Sequence, residues 1–264
     1  LRTEIILGKW LGRPGNREKV VLASKIAGPG RRDWIRNGAT SLTKANIIDA
    51  CEGSLKRLQT DHIDIYQIHW PDRNVAAFGS WQFDSSKERE TVPIIEQVEA
   101  MQTLIKAGKI RGYGLSNESA WGTTMFCRAA DQLGAPKPAS IQNTYSMLNR
   151  SFEGDLAEVS YREQVPLLAY SPLGMGALTG KYAKGAMPVG SRFQSFPDFF
   201  GRFRRPLALV AADEYAALAK KFDMSLLDLS IAFAVNKWFV GSVILGATSV
   251  PQLQQSFNAH HVKL

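Results

Sequence analysis

The chain has 264 residues, of which 45% are hydrophobic and 21% are charged, so it can bury a large core and is not intrinsically disordered. No apolar run approaches the roughly 20 residues needed to cross a bilayer, and the first residues lack a signal-peptide pattern, so we predict no membrane association. Cys51 and Cys127 lack the spacing of a disulfide framework or a metal site, which fits a cytoplasmic protein.

The formal net charge of +8 raises the question of a nucleic-acid partner. The basic residues are scattered, however, and only 31–36 and 201–205 form tight clusters. We therefore predict no nucleic-acid binding, and a phosphorylated small ligand accounts for the charge equally well. The sequence leaves the oligomeric state open.

Segments with strand and helix periodicity alternate along the whole chain. KVVLASK is short, branched and apolar, which is typical of a strand buried on both faces. Ser41 or Thr43 is placed to cap the next helix. The predicted strands are 19–25, 62–69, 109–116, 139–143, 165–171 and 240–247. The predicted helices are 1–11, 41–59, 91–108, 119–133, 151–164, 207–222 and 225–237, with another that begins near Pro251.

This alternation predicts right-handed parallel crossovers in an α/β fold. Six strands suit an open doubly wound sheet, whereas a closed (β/α)8 barrel needs eight. Polar residues follow the six apolar runs, and one ring of strand ends would gather them at a single face, which favours the barrel. These residues are Lys25, His69, Ser116 with Asn117, Gln142, Ser171, and Gly246 with Thr248. We therefore predict one domain over residues 1–264, a (β/α)8 TIM barrel whose first two strands are missing from this sequence.

Each polar residue at the end of a predicted strand also has a purely structural interpretation. A lysine such as Lys25 often extends its ammonium to solvent, and a histidine such as His69 is often a hydrogen-bonded structural residue. The functional alternatives are a cation that lowers the pKa of a neighbouring acid and an imidazole displayed to a substrate. Asn117 or Ser119 could cap the following helix, or Asn117 could join Gln142 in recognising a carboxamide.

Two loops carry features that suit phosphate groups. The glycines of AYSPLGMGALTGKY (169–182) do not match G-x-G-x-x-G, so the Rossmann fingerprint is rejected. The backbone N–H groups there, with Lys181 and Arg192, could still hold a pyrophosphate, or the loop could be a surface turn. In ILGATSVPQLQQSF, Thr248 and Ser249 are either helix caps or part of an anion site. Together the loops predict one dinucleotide, and no hydrolase elbow, Walker loop or metal motif competes.

Six motifs, in this order, resemble the aldo-keto reductase superfamily over essentially the whole chain. They are KVVLASK, SLKRLQTDHIDIYQIHWPD, GKIRGYGLSNES, SIQNTYSMLNR, LLAYSPLGMGALTGKY and ILGATSVPQLQQS. The likeness is to the bacterial branch that includes the Tas-type reductases and, more distantly, to the β subunits of voltage-gated potassium channels. It implies a (β/α)8 barrel that binds NADPH/NADP+ and reduces an aldehyde or ketone by hydride transfer without a metal.

The resemblance also implies roles for individual residues. Lys25 matches the lysine that lowers the pKa of a proton-donating tyrosine, and His69 matches the histidine that orients the carbonyl. Ser116, Asn117 and Gln142 would hold the nicotinamide carboxamide. The other implied cofactor contacts are Tyr170 at the ring, Ser171, Leu173, Gly176 and Lys181 at the pyrophosphate, and Arg192, Gly246, Thr248, Gln252 and Gln255 at the adenosine and its 2′-phosphate, with Pro172, Gly174 and Ala247 beside them. Lys181 and Arg192 suit a 2′-phosphate, which favours NADPH over NADH.

The sequence departs from the family pattern in one respect. The family's catalytic aspartate and tyrosine lie in a motif like D-T-A-x-x-Y-G, which these residues do not contain, and LRTEIILGKWL resembles the helix just after it. We expect both residues to precede Leu1 and the 264 residues alone not to turn over. The alternative function is an NADP(H)-binding, redox-sensing regulatory subunit with little turnover, against which His69 argues because the channel β subunits lack it. A phosphate-binding isomerase would need a carboxylate base at a strand end.

Overall fold

The computed structural model describes residues 2–30, 34–198 and 201–264, so positions 31–33 of the first basic cluster lie outside the described residues. The chain comprises two compact units: unit 1 is Leu1–Ile141 with Glu163–Val165, and unit 2 is Gln142–Arg162 with Pro166–Leu264. That the chain forms a single domain stays a prediction. Within the described ranges, no helix combines the length and the apolar character that a membrane span requires.

Unit 1 alternates helices with parallel strands. Its helices are α1 (Arg2–Leu11), α2 (Lys44–Leu58), α3 (Ile94–Lys106) and α4 (Ala120–Leu133). Its strands are β1 (Ala23–Ile26), β2 (Ile63–Ile68) and β3 (Ile110–Ser116). Strand β2 pairs in parallel with β1 and with β3, so the strands lie in chain order, as right-handed crossovers predict.

Local signals set the helix boundaries in unit 1. Thr43, not Ser41, caps α2, because its side chain accepts a hydrogen bond from the Asn46 N–H at 3.3 Å. Ser119 caps α4 in the same way, accepting from the Gly122 N–H at 3.1 Å. Of the two caps considered for α4, the structure therefore uses Ser119 and leaves the Asn117 side chain for another contact.

Strand β1 corrects the prediction of a strand over 19–25 that is buried on both faces. The three residues Arg17–Lys19 form a 3₁₀ turn, and Val21 is 75% exposed. The Asp64 carboxylate accepts hydrogen bonds from the Leu22 N–H and from the Arg17 guanidinium, both at 2.8 Å. Because this buried carboxylate takes the Leu22 N–H, the regular ladder begins only at Ala23.

The boundary between the two units falls within strand β4 (Ile141–Thr144): Ile141 belongs to unit 1 and the rest of the strand belongs to unit 2. Its further strands, β5 (Leu167–Tyr170) and β6 (Val240–Ile244), pair in parallel. Its helices are α5 (Asp155–Glu163, whose last residue belongs to unit 1), α6 (Arg192–Ser195), α7 (Pro206–Lys221), α8 (Leu226–Val235) and α9 (Val250–Asn258). The helix predicted over 151–164 is shorter, because Ser151–Glu153 is a 3₁₀ turn and Gly154 has non-helical φ/ψ.

A carboxylate at this turn anchors a network of charges in unit 2. Glu153 accepts hydrogen bonds from the Arg150 guanidinium at 2.5 Å and from the Tyr145 hydroxyl at 2.5 Å, and Lys237 Nζ lies 3.5 Å away. The Arg150 guanidinium is the main reason that the pKa of Glu153 falls to about 2, although burial opposes this shift. The ionised carboxylate therefore stabilises the fold above its ordinary pKa of 4.5, and this contribution is lost as the pH falls through about 2.

Replacing Glu153 with glutamine is expected to lower the free energy of unfolding at pH 7 by about 1 kcal/mol, since water partly screens these pairs. The difference from the unmodified protein should shrink between pH 5 and pH 3 in urea titrations. Glu158→Gln is the control, because Glu158 pairs only with the exposed Arg162 at 2.6 Å among the described residues. Equal pH profiles for the two variants would contradict the assignment.

Candidate active site

Lys25 and His69 project from the same part of the unit 1 sheet. Lys25 lies opposite Gln67 in the β1–β2 register, and His69 directly follows Ile68, the last residue of β2. The His69 N–H donates to the Ile26 carbonyl at 3.0 Å. Lys25 is partly buried, and this burial lowers the pKa of its ammonium. Both interpretations of Lys25, a buried stem with its ammonium in solvent and a functional cation, are compatible with this partial burial.

Asn117 fixes the main chain at His69 from the neighbouring strand. Its carboxamide Nδ2 donates to the His69 carbonyl at 2.8 Å and lies 3.2 Å from Ser116 Oγ. This geometry requires φ of 54° at Asn117, a left-handed conformation that asparagine adopts more readily than most residues. The first residues after β2 and β3 are thus joined, and His69 is held by hydrogen bonds on both sides.

Trp70 closes one side of the His69 imidazole. The two ring centroids are 4.6 Å apart with planes tilted by 46°, and Trp70 Nε1 donates to the Pro29 carbonyl at 2.9 Å. Gly28 is needed below the indole, because a Cβ there would lie 2.6 Å from Trp70 Nε1. The loop after β1 is therefore pinned under the residue that follows His69.

A buried ion pair ties the segments after β2 and β3 together a second time. The Arg73 guanidinium binds both carboxylate oxygens of Glu118, with Nη1 2.9 Å from Oε2, and it lies 5.0 Å from the Trp121 ring centroid. Glu118 is 4% exposed. A Cβ at Gly122 would overlap the ends of both side chains, so a larger residue there would require the pair to shift.

The residues between Arg73 and α3 form a long connection with exposed aromatic side chains. Phe78, Trp81 and Phe83 are 61%, 81% and 60% exposed. The Asn74 carboxamide holds the base of this connection by donating to the Asp84 carbonyl at 2.8 Å. These aromatic groups give unit 1 an apolar surface in the segment that follows His69.

Unit 2 contains a cleft of about 770 Å³ at the C-terminal ends of β5 and β6. Most of the predicted cofactor-binding residues of this unit line it: Tyr170, Ser171, Pro172, Leu173, Gly176, Lys181, Arg192, Gly246, Ala247, Thr248, Gln252 and Gln255. Gly174 is buried and does not line the cleft, and a Cβ there would lie 3.1 Å from Leu148 Cδ1. Gln142 lies in β4 and is 8% exposed.

The segment after β5 folds through left-handed residues. Ser171, Met175 and Gly176 have φ values of 59°, 58° and 101°. Gly176 lies under the Lys181 side chain, since a Cβ there would lie 2.8 Å from Lys181 Cε. The chain therefore presents its backbone and the Lys181 ammonium together at the wall of the cleft.

The start of α9 forms another wall of the cleft. Ser249 is the N-cap and accepts from the Gln252 N–H at 3.4 Å, so the capping interpretation holds for Ser249. The Thr248 N–H and hydroxyl both donate to Gln252 Oε1 at 3.0 Å. Thr248 and Gln252 thus hold each other at the edge of the cleft.

The Ser191 hydroxyl, the Met175 sulfur and the Arg202 guanidinium, which line or contact residues of the cleft, were not predicted from the sequence. The Ser191 hydroxyl is buried, lines the cleft and has no hydrogen-bond partner among the described residues. Arg192 Nη1 donates to Met175 Sδ at 3.3 Å, and Arg202 Nη2 donates to the Tyr170 hydroxyl at 3.4 Å. For Arg202 the only sequence signal is its place in the basic cluster 201–205, and for Ser191 it is adjacency to Arg192.

The structure also shows the environment of the two cysteines and of the side chains that could bind a metal. Cys51 and Cys127 are buried free thiols, and burial raises their pKa values to about 11 and about 12. In the part of the chain that the structure describes, no three His, Cys, Asp or Glu side chains group as metal ligands would. Both thiols are therefore poor nucleophiles at neutral pH.

Comparison with known proteins identifies relatives along the whole chain. The Aldo/keto reductase family model matches residues 2–264. "Protein tas" of Escherichia coli is 41% identical over 264 residues, covering 99% of this chain and 76% of the relative. An "Aldo-keto reductase" of Babesia bovis is 37% identical, with 91% and 89% covered. A "Probable voltage-gated potassium channel subunit beta" of Arabidopsis thaliana is 31% identical, with 98% and 74% covered.

These matches confirm the resemblance that six motifs predicted, including the more distant likeness to channel β subunits. They also confirm the predicted fold class, an α/β fold of the (β/α)8-barrel type, to which the alternating helices and parallel strands of both units conform. The chain belongs to the aldo/keto reductase family, an oxidoreductase family that generally uses nicotinamide cofactors.

Proposed function

We propose that this protein is an NADPH-dependent reductase of small aldehydes or ketones. The observation that carries the proposal is the unit 2 cleft, whose walls are formed by the two loops that the sequence associates with phosphate groups. Its volume of about 770 Å³ falls within the usual range for cofactor pockets. Lys181 and Arg192 supply cations, which suit phosphate groups.

The donor groups of the cleft fit such a cofactor. The buried Ser191 hydroxyl, which lacks a partner among the described residues, would gain one from a phosphate or ribose oxygen. Gly176 lets the Lys181 side chain lie directly against the backbone at the wall of the cleft. We assign the pyrophosphate to Ser171, Gly176 and Lys181, and the 2′-phosphate to Arg192.

In this proposal the nicotinamide, when bound, supplies the hydride that reduces the carbonyl carbon. His69 orients the carbonyl oxygen, for which its fixed main chain is well suited. Lys25 lowers the pKa of a proton-donating tyrosine. The family resemblance implies this tyrosine, and its motif does not occur in these 264 residues. In unit 1, the resemblance assigns Ser116 and Asn117 to the nicotinamide carboxamide.

A binding experiment tests the cofactor assignment without turnover. Fluorescence titration of the protein, including any residues that its gene encodes before Leu1, is expected to give an affinity for NADPH roughly tenfold above that for NADH, a difference of about 1.4 kcal/mol. Arg192→Leu should remove the preference, whereas Arg162→Leu on the exposed face of α5 should retain it. Equal affinities of the unmodified chain for NADPH and NADH would refute the assignment.

The reductase activity is tested by following NADPH oxidation with a panel of aliphatic and aromatic aldehydes. The protein should include whatever residues its gene encodes before Leu1. The plant channel-subunit relative supports a second candidate, an NADP(H)-binding regulatory subunit. Tight NADPH binding with no turnover on any aldehyde would favour that second function over the first.

A further inference from the structure

We propose that Met175 is a redox-modification site that controls the cofactor cleft: a peroxide oxidises its thioether to the sulfoxide, which engages Arg192 and weakens NADPH binding. This inference rests on the proposed function, because it takes the unit 2 cleft as the NADPH site. It adds to the cleft a regulatory residue, Met175, whose sulfur atom contacts groups assigned to cofactor binding.

The position of the Met175 sulfur carries the inference. Met175 is partly buried and lines the cleft, in the left-handed turn after β5. Its Sδ accepts from Arg192 Nη1 at 3.3 Å and from Ser171 Oγ at 3.9 Å. The thioether thus lies between the group assigned to the 2′-phosphate and a group assigned to the pyrophosphate.

Oxidation would change the strength of these contacts. A thioether is a weak hydrogen-bond acceptor, whereas a sulfoxide oxygen is polar and accepts strongly. Hydrogen peroxide transfers one oxygen to the sulfur: the O–O bond breaks, an S–O bond forms, the sulfur loses two electrons and the peroxide is reduced to water. The new oxygen, attached to an atom already 3.3 Å from the guanidinium, competes with a phosphate for the same N–H donors.

Other sulfur atoms are less suited to this role. Cys51 and Cys127 are buried, and their raised pKa values keep the reactive thiolate scarce. Met101 is fully buried, so a peroxide reaches it only when the structure opens. Met187 is 43% exposed and does not line the cleft, which makes it a matched control for surface oxidation.

The test compares NADPH and NADH affinities before and after hydrogen peroxide treatment of the unmodified chain, Met175→Leu and Met187→Leu. Peptide mass spectrometry measures the oxidation of each methionine. In the unmodified chain and in Met187→Leu, sulfoxide at Met175 is expected to weaken NADPH binding roughly tenfold and NADH binding by less than about threefold. Each Met175→Leu sample should keep the affinity that it had before treatment.

The outcomes separate the inference from the proposed function. Failure of the untreated chain to bind NADPH would refute the proposed function, and the inference with it. Normal binding that is insensitive to stoichiometric Met175 sulfoxide would refute the inference alone. Three other results would also refute the inference alone. They are an equal loss of NADPH affinity in treated Met175→Leu, a loss of NADH affinity as large as that of NADPH affinity, and a Met175 that stays reduced while Met187 is oxidised.

Discussion

Replacing Lys25 with methionine is expected to lower aldehyde turnover by roughly a hundredfold or more, with NADPH affinity changed by less than about threefold. The reason is that the ammonium is assigned to the proton-transfer step and not to the cofactor cleft. Burial already disfavours the charged lysine, so methionine should leave the free energy of unfolding within about 1 kcal/mol of its original value. Steady-state kinetics and a cofactor titration on the same preparation separate the two effects.

Lys19→Met is the matched control for this experiment. It removes the same charge from unit 1, at an exposed residue of the 3₁₀ turn before β1. Its turnover should stay close to that of the unmodified protein. Retained turnover in Lys25→Met would remove the catalytic role, and a parallel loss of cofactor affinity and stability would make Lys25 a structural residue instead.

Replacing Glu118 with glutamine is expected to lower the free energy of unfolding by about 3 kcal/mol, because it leaves the Arg73 guanidinium with an uncompensated charge in a largely buried site. The carboxylate is 2% exposed at its side chain and the guanidinium is 16% exposed, so water cannot replace the lost partner. Urea unfolding measures the change. Turnover should fall as well, because this pair joins the segments that hold His69.

Glu52→Gln provides the comparison, since Glu52 pairs with Lys109 on the surface of the same unit. An exposed pair of this kind contributes about 0.5 kcal/mol. The double variant Arg73→Met with Glu118→Leu should recover part of the loss, because it removes both charges together. A Glu118→Gln variant as stable as Glu52→Gln would show that the buried pair does not hold these segments.

The order and type of the elements could be predicted because strand and helix periods differ clearly along this chain. All six predicted strands overlap strands in the described residues. The boundaries were less predictable where a side chain competes with the backbone ladder. At β1 the Asp64 carboxylate takes the Leu22 N–H, and the two residues are 42 positions apart, so no local pattern reveals it.

Within the candidate site, residue types at strand ends pointed to the groups that line the unit 2 cleft. Contacts that depend on left-handed backbone at residues other than glycine were hard to predict, because the sequence signature is weak for asparagine and absent for methionine. Met175 contacts Arg192 from a φ of 58°, and Asn117 contacts the His69 carbonyl, 48 positions away, from a φ of 54°. The functional roles of these residues stay predictions until they are measured.

The double attachment of His69 has a consequence for engineering new specificities. Its main chain is fastened to Ile26 on one side and to Asn117 on the other, before the chain enters the aromatic connection around Trp81. We expect exchanges at the exposed Trp81 and Phe83 to leave the His69 main chain in place, whereas Phe78 packs against Trp70 with ring centroids 6.3 Å apart and should be kept. Under the proposed function, exposed residues of 74–91 are therefore the first choice for a combinatorial library aimed at substrate range.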